Sequence, residues 1–344
     1  MNDGELVVCG LAEANERAGV QGDGPAAARA LRSRGARAVC IVGARAGMDW
    51  LDTAHASGWI AGPAQSVAQL REGMQRALAE GWVPADAAIR ARMETPEALP
   101  LFSWGEQAPQ PPRFAPASRR LDLYAIVDSA HRLRQVLAAG VRTVQLRIKT
   151  PASPDAAWQA MLREEVRQAI ADSTAAGAEL FVNDHWQLAQ ELGAYGVHLG
   201  QEDLVALADA GRAQLRASGL ALGISSHSLW ELCRARTLSP RYVACGPVWP
   251  TLTKDMPWIP QGLDNLAWWR RAAGVPVTAI GGILDAREVE AAASTGVDGV
   301  CIVRGLGEDP RSTVPVFEAA LAAGRARPLP DAAGWPHPTL PALA

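Results

Sequence analysis

The sequence lacks the features that would mark an exported, membrane-bound or nucleic-acid-binding chain. Its five cysteines, Cys9, Cys40, Cys233, Cys245 and Cys301, form no CxxC pair and are odd in number. That speaks against a disulfide framework or a cysteine-built zinc site. No apolar run approaches the roughly 18 residues of a membrane span. The opening MNDGELVVCGLAEANERAGV has neither a basic start nor an apolar stretch of signal length. A cytoplasmic protein is expected. Neither sign of charge dominates: 33 Lys and Arg against 36 Asp and Glu leave a net charge of -3. This argues against a broad nucleic-acid surface and for charge used locally. What is present, 344 residues of which 49% are hydrophobic and 20% charged, suits a soluble globular chain with room for one large domain or two.

Two proline-rich stretches divide the chain. TPEALPLFSWGEQAPQPPRFAPASRR (95–120) holds six prolines in twenty-six residues without sustained periodicity and reads as a linker. RARPLPDAAGWPHPTLPALA, with five prolines, reads as a C-terminal tail (325–344) that either wanders or lies along the surface. Residues 1–94 precede the linker, and 121–324 follow it with a regular rhythm. Eight short apolar or β-branched runs, LYAIVD (123–128), TVQLRI (143–148), ELFVN (179–183), GVHL (196–199), ALGIS (221–225), YVACG (242–246), PVTAIGG (276–282) and GVCIV (299–303), alternate with stretches of helical composition. Eight strands with intervening helices in about 200 residues predict a compact (β/α)8 TIM barrel; a doubly wound open sheet more often stops at five or six strands.

Barrels of this kind carry their sites at the carboxyl ends of the strands, and the polar residues of this sequence cluster there. Gln145, Arg147 and Lys149 alternate along the second run, Asn183 and Asp184 close the third, Asp203 follows the fourth and Ser225 ends the fifth. Thr251, Thr253 and Lys254 follow the sixth, Gly281 and Gly282 the seventh, and Val303 and Arg304 the eighth. Asp184 and Asp203 come from successive loops and could share one magnesium ion, which takes one or two carboxylates with substrate phosphate oxygens. The plainer alternative is that both are turn or helix-cap residues. Arg147, Lys149 and Lys254 nearby match a diphosphate. Their alternative, a solvated strand face, loses ground because barrel strands have only an interior and a helix-covered exterior. Gln145 would fix orientation through its amide. The loop from Gly246 to Lys254, with Gly281 and Gly282 opposite, offers hydroxyls and backbone N–H groups to a second, smaller anion. Two anion subsites imply two phosphorylated substrates. No nucleophile is announced: His198 and His227 read as structural histidines, Cys245 and Cys301 as core. Trp249 and Trp258 read as loop packing or as platforms for a heterocycle, Trp268 and Trp269 as helix packing.

From about residue 121 to 324 the sequence resembles thiamine phosphate synthase, through QLRIK (145–149), FVNDHWQLA (181–189), YGVHLGQEDL (195–204), LGISSHS (222–228), PTLTKDMPWIPQGL (250–263) and AIGGI (279–283). The resemblance implies a (β/α)8 transferase that joins hydroxymethylpyrimidine diphosphate to a thiazole phosphate, releasing diphosphate. It implies pyrimidine diphosphate contacts at Gln145 to Lys149, Asn183, Ser225 and Lys254, with Arg147, Lys149, Ser225 and Lys254 in the catalytic set. It further implies magnesium ligands at Asp184 and Asp203, and a thiazole phosphate site at Thr251 to Thr253, Gly282, Val303 and Arg304. Where the family usually has a small hydroxyl residue after the eighth strand, this sequence has Arg304, which could add a bidentate phosphate contact or fill the subsite. Two rival activities share the scaffold: thiazole tautomerase, and a binding protein that has lost turnover. GARAVCIVGARAGMDWLDTAHASGWIAGP (35–63) and WVPADAAIRARM (82–93) resemble a ribokinase-type hydroxymethylpyrimidine phosphate kinase, shortened and without its glycine-rich anion hole. That implies a degenerate α/β N-terminal region with a structural or partner-binding role.

Overall fold

The structure is a computed structural model that describes residues 4–113, 119–251, 257–330 and 334–341. Five strands, β1 (Leu6–Gly10), β2 (Ala38–Arg45), β3 (Met48–Thr53), β4 (Ser57–Ala61) and β5 (Leu101–Phe102), form an N-terminal sheet in that order. β1 and β2 run parallel and the remaining pairs antiparallel. The period of two along these strands divides their side chains between two faces. Val7, Cys9, Val39 and Ile41 pack on one face beneath the helices Leu11–Ala18 and Gly24–Ser33. Val8, Cys40, Leu51 and Ile60 pack on the other, beneath Val67–Ala79 and Pro84–Arg92.

Eight further strands close a parallel barrel: β6 (Asp122–Val127), β7 (Thr143–Leu146), β8 (Glu179–Asn183), β9 (Gly196–Leu199), β10 (Ala221–Ser226), β11 (Tyr242–Cys245), β12 (Val277–Ala279) and β13 (Gly299–Ile302), which pairs back to β6. All eight apolar runs of the sequence contain a barrel strand, because a parallel barrel strand is covered on both sides and is mostly apolar. Helices start where Ser129, Asp155, Ser228 and Asp285 accept hydrogen bonds from first-turn N–H groups.

Rings fill the interior. Tyr242 meets Tyr124 edge to face at 5.6 Å and Phe181 at 5.0 Å. Two of these rings, Phe181 and Tyr242, need a glycine beside them. Gly196, the register partner of Phe181, would bring a Cβ to 2.8 Å from that ring, and a Cβ on Gly223, the partner of Tyr242, would collide with the tyrosine.

The N-terminal sheet packs on the barrel through the helix Leu229–Arg236. Trp230 donates its backbone N–H to Asp86 Oδ1 at 3.1 Å, and Trp104 Nε1 donates to the Arg234 carbonyl at 3.0 Å. Within the proline-rich stretch 95–120, Phe102 is fully buried under the Arg234 guanidinium, and Pro96 accepts from Trp268 Nε1 at 2.7 Å. The C-terminal segment 334–341 lies along the barrel: Ile259 N donates to the Thr339 carbonyl at 2.9 Å, and Asn265 exchanges hydrogen bonds with the backbone of His337. No described helix is long and apolar enough to cross a membrane.

Candidate active site

A cavity of about 390 Å³ opens at the carboxyl ends of the barrel strands. On one side stand residues from β7 to β10. Arg147 N donates to the Val127 carbonyl at 2.7 Å, so the β6–β7 ladder runs one residue past the strand and Arg147 shares the side of buried Gln145. Both line the cavity. The ladder ends there. Lys149, two residues on, is exposed and is not among the lining residues.

Asn183 ends β8 buried, and Asp184 follows it in the left-handed region at φ 65, a conformation that asparagine and aspartate adopt more readily than other side-chain-bearing residues. Asp184 N donates to the His198 carbonyl at 3.0 Å. Asp203 caps the helix Gln201–Ala206, its Oδ2 accepting from Gly200 N at 3.0 Å, and also lines the cavity with Asp184. Cap and cavity wall are therefore one residue. Among the described residues no group of three or more His, Cys, Asp or Glu is placed to hold a metal. Two carboxylates with room for substrate oxygens suit magnesium, whereas zinc would require a fuller nitrogen or sulfur set.

On the opposite side are Gly281 and Gly282, at φ 94 and 76. A Cβ on either would lie 2.7 Å from Pro247 Cα or 2.6 Å from Trp249 Cβ, so backbone approaches closely here as an anion cradle requires. Thr251, Val303 and exposed Arg304, which opens a short 3-10 turn, complete this side. Thr253 and Lys254 lie outside the described residues.

Several lining groups did not stand out in the sequence. His198 Nε2 is 2.9 Å from Ser225 Oγ and its Nδ1 2.8 Å from the Tyr242 hydroxyl. Burial, reinforced by the Arg147 guanidinium and by His227, lowers His198 to about 3, so the ring is neutral. Burial likewise holds Tyr124 and Tyr242 protonated, well above the ordinary phenol value. Gln201 Nε2 donates to the Ser225 carbonyl at 2.9 Å. His227 is held by Glu231, with Nδ1 at 2.8 Å from Oε2, and stacks on Trp258 at 4.9 Å and 11°. The spacing of His227 and Glu231, four apart across a helix start, was a readable signal for that pair.

Residues 123–306 match the sequence model of a family described as thiamine monophosphate synthase. The chain is 45% identical over 193 residues to a thiamine-phosphate synthase of Rhizobium etli, a match covering 56% of this chain and 90% of that protein. It is 42% identical over 209 residues to a thiamine-phosphate synthase of Neisseria meningitidis serogroup A, covering 60% and 97%. A solved thiamine phosphate pyrophosphorylase from Pyrococcus furiosus superposes with a TM-score of 0.50 at 26% identity, covering 59% of this chain and 96% of that one.

Proposed function

Because the chain belongs to the thiamine monophosphate synthase family, we propose that the barrel mouth joins hydroxymethylpyrimidine diphosphate to thiazole phosphate, yielding thiamine phosphate and diphosphate. The observation that carries this reading is the two-sided cavity. Gln145, Arg147, Asn183, Asp184, Asp203 and Ser225 stand on one side, and Thr251, Gly282, Val303 and Arg304 on the other.

The reaction needs no nucleophile from the protein. The bond from the pyrimidine methylene carbon to the diphosphate oxygen breaks, and its electron pair leaves with the diphosphate. The thiazole nitrogen lone pair then forms the new bond to that carbon. The protein's task is to stabilise departing negative charge and align the two rings. Arg147, with Lys149 and Lys254, is assigned to the diphosphate, Asn183 and Ser225 to the pyrimidine, and the glycine turn with Thr251, Thr253 and Arg304 to the monophosphate. Asp184 and Asp203 would hold a magnesium ion, which when bound supplies charge neutralisation to the diphosphate oxygens. Buried free thiols at all five cysteines support a cytoplasmic location. The N-terminal sheet is assigned a structural role, bracing the helix Leu229–Arg236 beside His227.

Phosphorus NMR of the full chain with both substrates and magnesium is the test. Equal appearance of diphosphate and thiamine phosphate supports the proposal. Change in the thiazole phosphate alone would instead indicate a tautomerase, and binding without product a ligand-binding protein.

A further inference from the structure

Beneath the cavity, five side chains form one unbroken hydrogen-bonded chain across the barrel. Gln145 Nε2 lies 3.4 Å from the Tyr124 hydroxyl, which lies 2.7 Å from that of Tyr242. Tyr242 lies 2.8 Å from His198 Nδ1, and His198 Nε2 lies 2.9 Å from Ser225 Oγ. Both tyrosines are buried at 1% exposure or less. Their neighbours in this interior, Leu121, Ile126, Phe181, Ala244 and Cys301, are apolar. Phenylalanines would fill the same volume without two hydroxyls that require partners. The hydroxyls do one thing a phenylalanine cannot: they connect Gln145 to Ser225, and both of these line the cavity.

Proton counting gives that connection a direction. Each hydroxyl carries one proton and a neutral imidazole one N–H. With its amide nitrogen facing Tyr124, Gln145 donates to Tyr124, Tyr124 to Tyr242, Tyr242 to His198 Nδ1, and the Nε2–H to Ser225 Oγ. The Ser225 proton is then left for the cavity, and so is the Gln145 carbonyl. The opposite direction requires every proton to move to the other partner and the Gln145 amide to turn over, so that Oε1 faces Tyr124. The two ends therefore change together: when Ser225 donates to the cavity, Gln145 presents an acceptor, and the reverse.

We propose that Tyr124, Tyr242 and His198 are positioning residues that fix the hydrogen-bond polarity of Ser225 and Gln145, so that the site selects an aminopyrimidine over its oxo analogue. This rests on the reading that a pyrimidine occupies the cavity. An aminopyrimidine edge offers a ring-nitrogen acceptor and an amine donor, which match a donating Ser225 and an accepting Gln145. In the oxo form that edge becomes a carbonyl acceptor beside a ring N–H donor. A buried site built for one pattern leaves polar groups unpaired against the other.

The experiment compares wild type with Tyr242→Phe, keeping Tyr124→Phe as the second variant should the first not fold. Binding of the aminopyrimidine diphosphate and its oxo analogue is measured by calorimetry, alongside kcat and KM with each. Wild type is expected to prefer the amino form, and Tyr242→Phe to lose about 10-fold or more of that preference, with KM for the thiazole phosphate unchanged. In a Ser225→Ala background, Tyr242→Phe should cost little more, since the chain is already cut. Equal losses toward both analogues would reveal a merely structural role and overturn the proposal, as would full retention of the preference. Wild type that binds neither pyrimidine would remove the functional reading itself, and this inference with it.

Discussion

Asp184 donates its backbone N–H to the carbonyl of His198 at 3.0 Å, and it does so from a left-handed backbone at φ 65. The bond joins the ends of β8 and β9, the strands that lead into the two carboxylate loops. The strained turn directs Asp184 into the cavity that Asp203 also lines.

Substitution at this position must separate charge from conformation. Asp184→Asn removes the charge yet keeps a residue suited to the left-handed region, whereas Asp184→Ala adds a backbone cost of about 1 kcal/mol. Asp184→Asn is expected to lower magnesium-dependent turnover by roughly 100-fold with an unchanged circular dichroism spectrum. Near-normal turnover would remove Asp184 from the proposed metal site.

Arg304 stands where the phosphate of the smaller substrate is assigned. Arg304→Ser is expected to raise KM for the thiazole phosphate by about 10-fold, the scale of one lost charge-assisted hydrogen bond, while KM for the pyrimidine diphosphate holds. Steady-state kinetics with each substrate varied in turn distinguishes this from the opposite result. An unchanged or lower KM would mean that the guanidinium bulk obstructs the subsite.

The brace between the N-terminal sheet and the barrel has its own pH signature. Burial raises Asp86 well above the ordinary carboxyl value of 3.8, and the approach of Glu231 adds to this, while hydrogen bonds from Trp230 and Leu229 N–H groups oppose it. Above about pH 3.8 the folded state therefore binds more protons at this residue than the unfolded state, and its contribution to stability falls as pH rises. Asp86→Asn keeps an acceptor for Trp230 without the charge. Its stability relative to wild type, from urea unfolding, is expected to grow from about pH 4 to about pH 8. A difference that does not change with pH would contradict this assignment.

How far the sequence could be read depended on what each segment buries. The barrel strands announced themselves because stretches such as GVHL and YVAC are covered on both faces and need no polar alternation. Strand β3, MDWLDT, was hidden by its acids. Asp49 is buried there with Arg92, from a distant helix, paired to it and the Gly43 N–H donating to its Oδ1. The seat of the C-terminal segment was equally hidden, since GWPHPTL has no period and is held by distant groups, the Asn265 side chain and the backbone of Ile259 and Gln261. In the site, Arg147 was legible from strand alternation, while Lys149 lies two residues past the end of the ladder and is exposed. A compositional signal was present as well. Lys149 and Lys254 are the only lysines among 33 basic residues, and both fall in the segments QLRIK and PTLTK that resemble thiamine phosphate synthase. His198 read as a structural histidine, and its link to Ser225 through Nε2 depends on the distance between neighbouring strands, which no single run of residues encodes.

In the proposed reaction two carboxylates and a cationic rim draw diphosphate away from carbon at the barrel mouth. This is tested most directly by mixing the full chain with hydroxymethylpyrimidine diphosphate and thiazole phosphate and following thiamine phosphate as fluorescent thiochrome, with magnesium, with EDTA, and with magnesium restored. Product that forms with magnesium, stops with EDTA and returns on restoration is the expected result. Product that forms equally well in EDTA, or none under any condition, would contradict it.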